Sequence, residues 1–364
     1  MSRAPNGLCL GIVVWGRTFV DTMTGLMLPS LLAPGNLPAF AWRQRTVLLL
    51  ITTREDEAHI RAASVFAALS AQVTVEFMTF AERPLVLDPP QLKYHLMTML
   101  HEHLVARARR DDLGVIMLTP DVILADGALR RIERTIAEGR RVLVAHAPSL
   151  DRSLFMPLLD AWLGRSPGTP PGDTLAVPPR ALMRMATRSY HRVTWQYMVD
   201  SEQFNPMTSA MYWRLGDDGL LARVFHSGPV YFHPADWSIP VAEDPASGKT
   251  IYIAYIGRAC PDPESYDLVG DSDEFLYVEI SDADKVYPVP EVNRANPTSF
   301  ALFAATNGGP MNLRFFAHKL WLHTGIDRSA HVEVERRSDV FVDEVLAMMP
   351  SVERALARRA AGTS

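Results

Sequence analysis

Five short apolar runs in the first 145 residues, each separated from the next by a stretch of helical composition, restrict this chain's fold more than any single residue does. Residues 10–15 form a continuous apolar run bounded by glycine, as a strand buried on both faces would. A helical stretch over 18–32 follows and breaks at Ala-Pro-Gly-Asn-Leu-Pro. Residues 47–52 (Val-Leu-Leu-Leu-Ile-Thr) predict a second strand, leading into a helix with acids in its first turn, where the helix dipole favours them. Further strands are expected over 73–80, 115–118 and 142–145, with helices over 91–110 and 127–138 between them. Alternation of this length predicts an α/β fold, a mostly parallel sheet with helices on both faces. Ligands of such sheets bind beyond the carboxyl ends of the strands. Trp15-Gly16-Arg17, residues 52–56 and Thr119-Pro120-Asp121 are therefore expected on one rim.

The chain has 364 residues, more than one compact core usually holds. Three parts are expected: an α/β half over 1–150, a β-rich part over 151–297 that completes the cleft, and C-terminal helices over 298–364. The second part opens on a Pro/Gly-rich loop, 165–179, and carries β-like stretches over 222–234 and 249–257 and an acidic stretch at 271–275. With 48% hydrophobic and 21% charged residues the composition is that of a globular protein. A net charge of -5 gives no electrostatic footprint for nucleic acid. Cys9 and Cys260 are the two cysteines, far apart, which excludes a disulfide framework or cysteine zinc site and suits a reducing, cytoplasmic setting. The N-terminal apolar run, broken at Gly11, lacks a signal-peptide pattern, and no stretch approaches ~18 uninterrupted apolar residues. Any membrane contact is expected to be peripheral.

Several chemistries are excluded by motif. No G-x-G-x-x-G follows the first strand and no P-loop or G-x-S-x-G elbow exists. His101-Glu102-His103-Leu104-Val105 carries valine where a zincin needs its second histidine. Asp121 is the strongest candidate. A carboxylate at the end of a core strand is either a loop cap or a ligand for a hard cation such as Mg²⁺ or Mn²⁺, which is often held by few protein groups plus substrate phosphates. Asp126 reads as a helix N-cap. Arg17, on the rim after the first strand, can fork onto phosphate oxygens, and Lys93 begins the helix before the Asp121 strand. The stretch 225–237, Phe-His-Ser-Gly-Pro-Val-Tyr-Phe-His-Pro-Ala-Asp-Trp, gathers His226, His233, Asp236 and Trp237. The acidic run 271–275 is a rival cation site that lacks the glycine and distal glutamate of an EF-hand.

The run Ile116-Met-Leu-Thr-Pro-Asp-Val-Ile-Leu-Ala-Asp-Gly127 resembles the D-x-D strand of GT-A glycosyltransferases, with Thr119-Pro120-Asp121 in the motif's place. The opening stretch is similar to their first strand and helix. The resemblance covers residues 8–150. It implies a GT-A-like fold, a nucleotide-sugar donor and an acceptor not specified by the sequence, with Trp15, Arg17, Thr53, Asp56, Lys93 and Thr119 against the donor. It also implies Asp121 and His226 on Mn²⁺ or Mg²⁺, His226 lying in a segment similar to the H-x-x-G-x-x-K-P-W run of one retaining group. The departure is Thr119, which replaces the first aspartate and depletes the metal site. Asp236 is the candidate base. A catalytically depleted GT-A-like binding module and a metal-dependent hydrolase using Asp121, His226 and the 271–274 acids are the alternatives.

Overall fold

The computed structural model describes residues 4–81, 91–166, 169, 172–235, 237, 253–284, 289 and 291–361. Its centre is a seven-stranded sheet of β1 (Gly7–Val13), β2 (Thr46–Thr53), β3 (Thr74–Phe80), β4 (Leu113–Leu118), β6 (Val142–Val144), β10 (Pro229–Phe232) and β11 (Tyr266–Leu268). Their order is β11-β6-β10-β4-β1-β2-β3. Every pairing is parallel except those of β10, which runs antiparallel between β4 and β6. The fold is thus mixed α/β with a mostly parallel sheet flanked by helices.

Alternation along β1 explains why one strand serves two cores. Leu8, Leu10 and Ile12 join a cluster with the helical stretches over 17–31, 54–70 and 129–137. Cys9 and Val13 face the helix Gln91–Asp111 and the helix Pro310–Ala317 on the other side. Gly11 makes that second packing possible: a Cβ there would lie 2.3 Å from Leu104 Cδ2, so the helix approaches the strand only because the side chain is missing.

Two smaller sheets complete the molecule. One is β5 (Val122–Leu124), β12 (Tyr277–Ser281) and β7 (Ser149–Asp151), with β12 in the middle. The other has β9 (Gly219–Val224) between β13 (Leu320–His323) and β8 (Ala210–Arg214). Its core includes Met211, Trp213 and Leu221 from the sheet, Phe225 just after it, and Phe300, Phe316, Val345 and Met349 from the C-terminal helices. The boundary expected at 297/298 therefore runs through one core, and the first sheet draws β10 and β11 from beyond residue 150.

Two short apolar runs have the other secondary structure from that expected. Ile253–Ala259 is helical, and Leu320–His323, expected inside a helix, is a strand hydrogen-bonded along β9. Runs of 4–8 apolar residues carry no period that separates the two states, so tertiary pairing decides.

Candidate active site

The chain leaves β1 towards β2 on one side and reaches β4 on the other, so the topological switch point lies between β1 and β4. Ile12 pairs with Leu118, which sets the turn Thr119–Asp121 beside the turn that follows β1. The three expected rim turns do share this edge. The Gly16 amide donates to Asp56 Oδ2 at 2.9 Å, stapling the turn after β1 to the one after β2. Gly16 has φ +84°, a conformation that favours glycine, and a Cβ there would meet nothing within 4 Å, so the turn borders open space.

The groups expected against a donor divide by what already holds them. Asp56 is buried; its carboxylate takes the Gly16 amide and the Thr53 hydroxyl at 3.0 Å, while Thr53 Oγ1 caps the Asp56 amide at 3.1 Å. Both are struts of the rim rather than groups presented to a ligand. Trp15 is half-buried and meets Phe80 edge to face at 6.1 Å. Arg17 is exposed, with Nε donating to both Asp21 oxygens at 2.9 Å and Nη1 3.0 Å from His59 Nδ1. An exposed ion pair of this kind is worth ~0–1 kcal/mol, so a phosphate can displace it. Lys93 is exposed in the first turn of the helix Gln91–Asp111, and Thr119 is exposed. Asp121 is half-buried, and its carbonyl accepts from the Ile280 amide at 2.8 Å, which joins β12 to the turn. Asp236 lies outside the described residues.

Strand β10 is antiparallel, so its beginning lies on the same rim: Pro229 pairs with Val144, the last residue of β6. His226 precedes β10 and His146 follows β6. The Ser227 hydroxyl donates to the Ala145 carbonyl at 2.7 Å, which ties their backbones together. Burial pushes both imidazoles down to about 4, so both are neutral at physiological pH.

The tautomer of His226 follows from Asn312. Asn312 Oδ1 accepts the Gly309 amide at 3.0 Å and Nδ2 donates to the Phe225 carbonyl at 2.8 Å, which fixes the amide's orientation. Nδ2 then faces His226 Nδ1 at 3.1 Å, making Nδ1 the acceptor and leaving the proton on Nε2. A histidine that binds a cation through Nε2 shows the reverse, its Nδ1–H donating to an acceptor. His226 is accordingly a hydrogen-bond donor, and with Thr119 in place of a carboxylate the Asp121–His226 pair does not fit Mn²⁺ or Mg²⁺. His146 is similar. Its Nε2 lies 2.7 Å from the hydroxyl of Tyr212, whose phenol is buried and pushed well above its ordinary pKa. That buried proton has an acceptor only if it is donated to Nε2, so His146 keeps its own proton on Nδ1.

Three other expectations change. His233 is buried at the opposite end of β4, with Nε2 3.2 Å from Asp112 Oδ1. Trp237 is stacked on Phe232 at 5.0 Å inside the core. Asp126 is not an N-cap; it accepts the Gly35 amide at 2.6 Å, and the helix Leu129–Ala137 begins after Ala128. The acidic run does meet a histidine: ligand atoms of Asp271, Asp273 and His323 lie within 4.8 Å of one another, a spacing a cation could bridge. Each is already engaged. His323 Nδ1 accepts the Gly325 amide at 3.1 Å and Nε2 lies 2.9 Å from Asp271 Oδ1, while Arg328 pairs with Asp271 and Arg180 with Asp273.

Two residues on the rim were missed from sequence, His146 and Glu279. His146 ends the run Val-Leu-Val-Ala-His and obeys the same strand-end rule that singled out Asp121. Glu279 carried no such signal, because β12 is ordered only by pairing with β5 and β7; it stands opposite Val122 and Ser149.

No family model and no curated protein matches the chain. Among solved structures it is similar to Staphylococcus aureus TarS, at TM-score 0.27 and 9% identity over 39% of this chain and 22% of that one. It is also similar to mouse xyloside xylosyltransferase 1 in its apo form, at TM-score 0.24 and 12% identity over 47% of this chain and 63% of that one. The chain thus spans less than two thirds of either protein. Likeness at this level assigns neither a family nor an activity. No helix among the described residues is long and apolar enough to cross a membrane.

Proposed function

We propose that the protein is a GT-A-like glycosyltransferase that moves a sugar from a nucleotide-sugar donor to a hydroxyl acceptor, without a divalent ion at Asp121. The observation that supports this best is the switch point between β1 and β4, edged by Arg17 and Asp121, with the neutral imidazoles of His226 and His146 beside the ends of β10 and β6 on the same rim. Crevices at such points take nucleotides. The donor's diphosphate lies towards the open Gly16 turn, Arg17 and Lys93, with Trp15, Thr119 and Asp121 around its nucleoside and sugar. In the transfer the acceptor oxygen bonds to the anomeric carbon and the bond from that carbon to the phosphate oxygen breaks. Its electron pair leaves on the nucleoside diphosphate. Donors aimed at that growing charge from a partly dehydrated site do the work a cation does elsewhere, and His226 Nε2–H and His146 Nδ1–H are such donors. The acceptor's proton passes to a rim carboxylate, for which Glu279 is placed.

The test is a melting-temperature screen against a panel of nucleotide sugars, with and without EDTA, followed by nucleoside diphosphate release. One or more nucleotide sugars should raise the melting temperature by several degrees, as a ligand selective for the native state must, with the shift unchanged by EDTA. No shift with any donor overturns the reading. A shift that is never followed by diphosphate release leaves a binding module, the reading that Thr119 would favour.

A further inference from the structure

The helix Arg152–Trp162 presents an apolar face to solvent. Phe155 and Leu159 pack into the main core, and Asp160 is buried beside them, paired with Arg165 at 2.6 Å. Arg152, at the first position, is held by Asp282 at 2.7 Å. The residues turned outward are Ser153, Leu154, Pro157, Ala161 and Trp162, with Leu154 52% and Trp162 48% exposed. Spacings of three, four and eight put the apolar ones on one stripe. A surface helix ordinarily carries its charged residues there, and a contiguous exposed apolar stripe marks a place where something else docks. The helix Pro179–Ala186 lies beside this one, and both pack on the same core, through Phe155 and Leu159 and through Ala181, Leu182 and Met185. The Asp151 amide donates to the Ser189 carbonyl at 2.8 Å, so the second helix ends where the first begins. Side by side over one core, the two helices turn their outer faces the same way. The second outer face is cationic. Residues 174–199 contain no aspartate or glutamate, and their four arginines, Arg180, Arg184, Arg188 and Arg192, are spaced four apart. Arg180 pairs with Asp273 at 2.7 Å, whereas Arg184 and Arg188 are exposed and have no ion-pair partner among the described residues.

We propose that this two-helix face seats the protein on an anionic lipid surface. Leu154 and Trp162 enter the boundary between headgroups and chains, where tryptophan is at home, and Arg184 and Arg188 meet lipid phosphates. Peripheral binding of this kind needs both contributions, a buried apolar stripe and attraction to anionic headgroups. A nucleic acid would satisfy the arginines and gain nothing from Leu154, Pro157, Ala161 and Trp162. A neutral protein surface would cover the apolar stripe and leave the guanidinium groups without counter-charge. The boundary of an anionic bilayer supplies hydrocarbon and phosphate together. The proposal goes beyond the glycosyl-transfer reading and does not depend on it.

Vesicle flotation of the full chain, without any nucleotide sugar, tests this. Vesicles of phosphatidylglycerol and phosphatidylcholine in equal parts should bind it, pure phosphatidylcholine vesicles should bind it far less, and high salt should weaken the attraction by screening. Arg184→Gln/Arg188→Gln should lower the affinity for the mixed vesicles about 25-fold, fivefold for each arginine. Its melting temperature should stay native, because neither side chain pairs with the rest of the protein. Leu154→Ser/Trp162→Ser should weaken binding on the order of tenfold through lost apolar burial. No binding to either vesicle, equal binding to both, or an unchanged affinity in Arg184→Gln/Arg188→Gln overturns the proposal. So does a solution dimer that Leu154→Ser/Trp162→Ser dissolves, or an oligonucleotide bound as tightly as the mixed vesicles, since each gives the face another occupant.

Discussion

The Asp271–His323 cluster and the rim pair of His226 and His146 both gather ligand-type side chains, and they differ in which ring nitrogens the protein already engages. At Asp271, His323 both ring nitrogens are engaged, and both carboxylate oxygens of Asp271 face donors from His323, the Asp273 amide and Arg328. On the rim, His226 and His146 each have one nitrogen fixed by a protein partner, which leaves the proton on the other. The first arrangement is a closed structural knot joining β13 to the turn before β12. The second is a pair of oriented donors, which the proposed transfer would use on the leaving diphosphate. A cluster of ligand-type residues is thus a poor indicator of a site by itself; the direction of the remaining hydrogen bonds separates the two.

The sharpest way to break this contrast is His226→Phe. The phenyl ring keeps the edge contacts to Phe225 and Phe303 but removes the Nε2–H. Turnover should fall on the order of 10²-fold, the loss seen when one preorganised donor to a developing oxyanion is removed, with donor affinity changed far less. Steady-state kinetics of diphosphate release measures both. Added Mn²⁺ should leave the native rate unchanged; stimulation by Mn²⁺ that vanishes in the variant would show that the imidazole is a metal ligand and that the tautomer assignment is wrong.

A smaller effect of the opposite kind is expected at the knot. Asp271→Asn removes the charge that His323 and Arg328 share, and should lower stability by about 1–3 kcal/mol, the cost of weakening the hydrogen bond to the buried His323. Activity per folded molecule should be native. Denaturant titration and rates normalised to folded protein check the two halves. A variant of native stability and reduced rate would move the active site to Asp271 and invert the comparison.

The division between these regions was only partly legible in the sequence. The parallel strands were readable because each is a short apolar run closed by glycine or a polar turn, and the rim followed from strand direction alone. Asp121 and Arg17 were placed on the rim that way, and His146 could have been. Asp56 was misread because its role depends on a contact across 40 residues to the Gly16 amide. His226 was misread because its ring is governed by Asn312, 86 positions away, and no local pattern encodes a tautomer. Glu279 becomes a neighbour of the rim only once β12 joins β5 and β7, pairings of high sequence separation that short-range periodicity does not carry.

The mildest prediction uses pH to titrate the two regions apart. Burial holds His226 and His146 near 4 when folded, and His101 as well, against an ordinary value of 6.5. Between about pH 6.5 and 4 the unfolded chain therefore binds more protons than the folded one, and stability must rise with pH across that window. For Asp271 burial acts to raise the carboxyl, but the hydrogen bonds from His323, the Asp273 amide and Arg328 outweigh it, holding the group at about 2 against 3.8. Its contribution is intact above 3.8 and is lost as pH falls through 2. Melting temperature against pH should therefore descend in two limbs, the upper belonging to the buried histidines and the lower to carboxylates held below their ordinary range, Asp271 among them. His226→Phe should flatten part of the upper limb and leave the lower one alone, whereas Asp271→Asn should lower the whole curve and flatten it only below about pH 4. If Asp271→Asn instead flattened the limb between 6.5 and 4, the knot and the rim would be one coupled network, and the separation drawn between them would not hold.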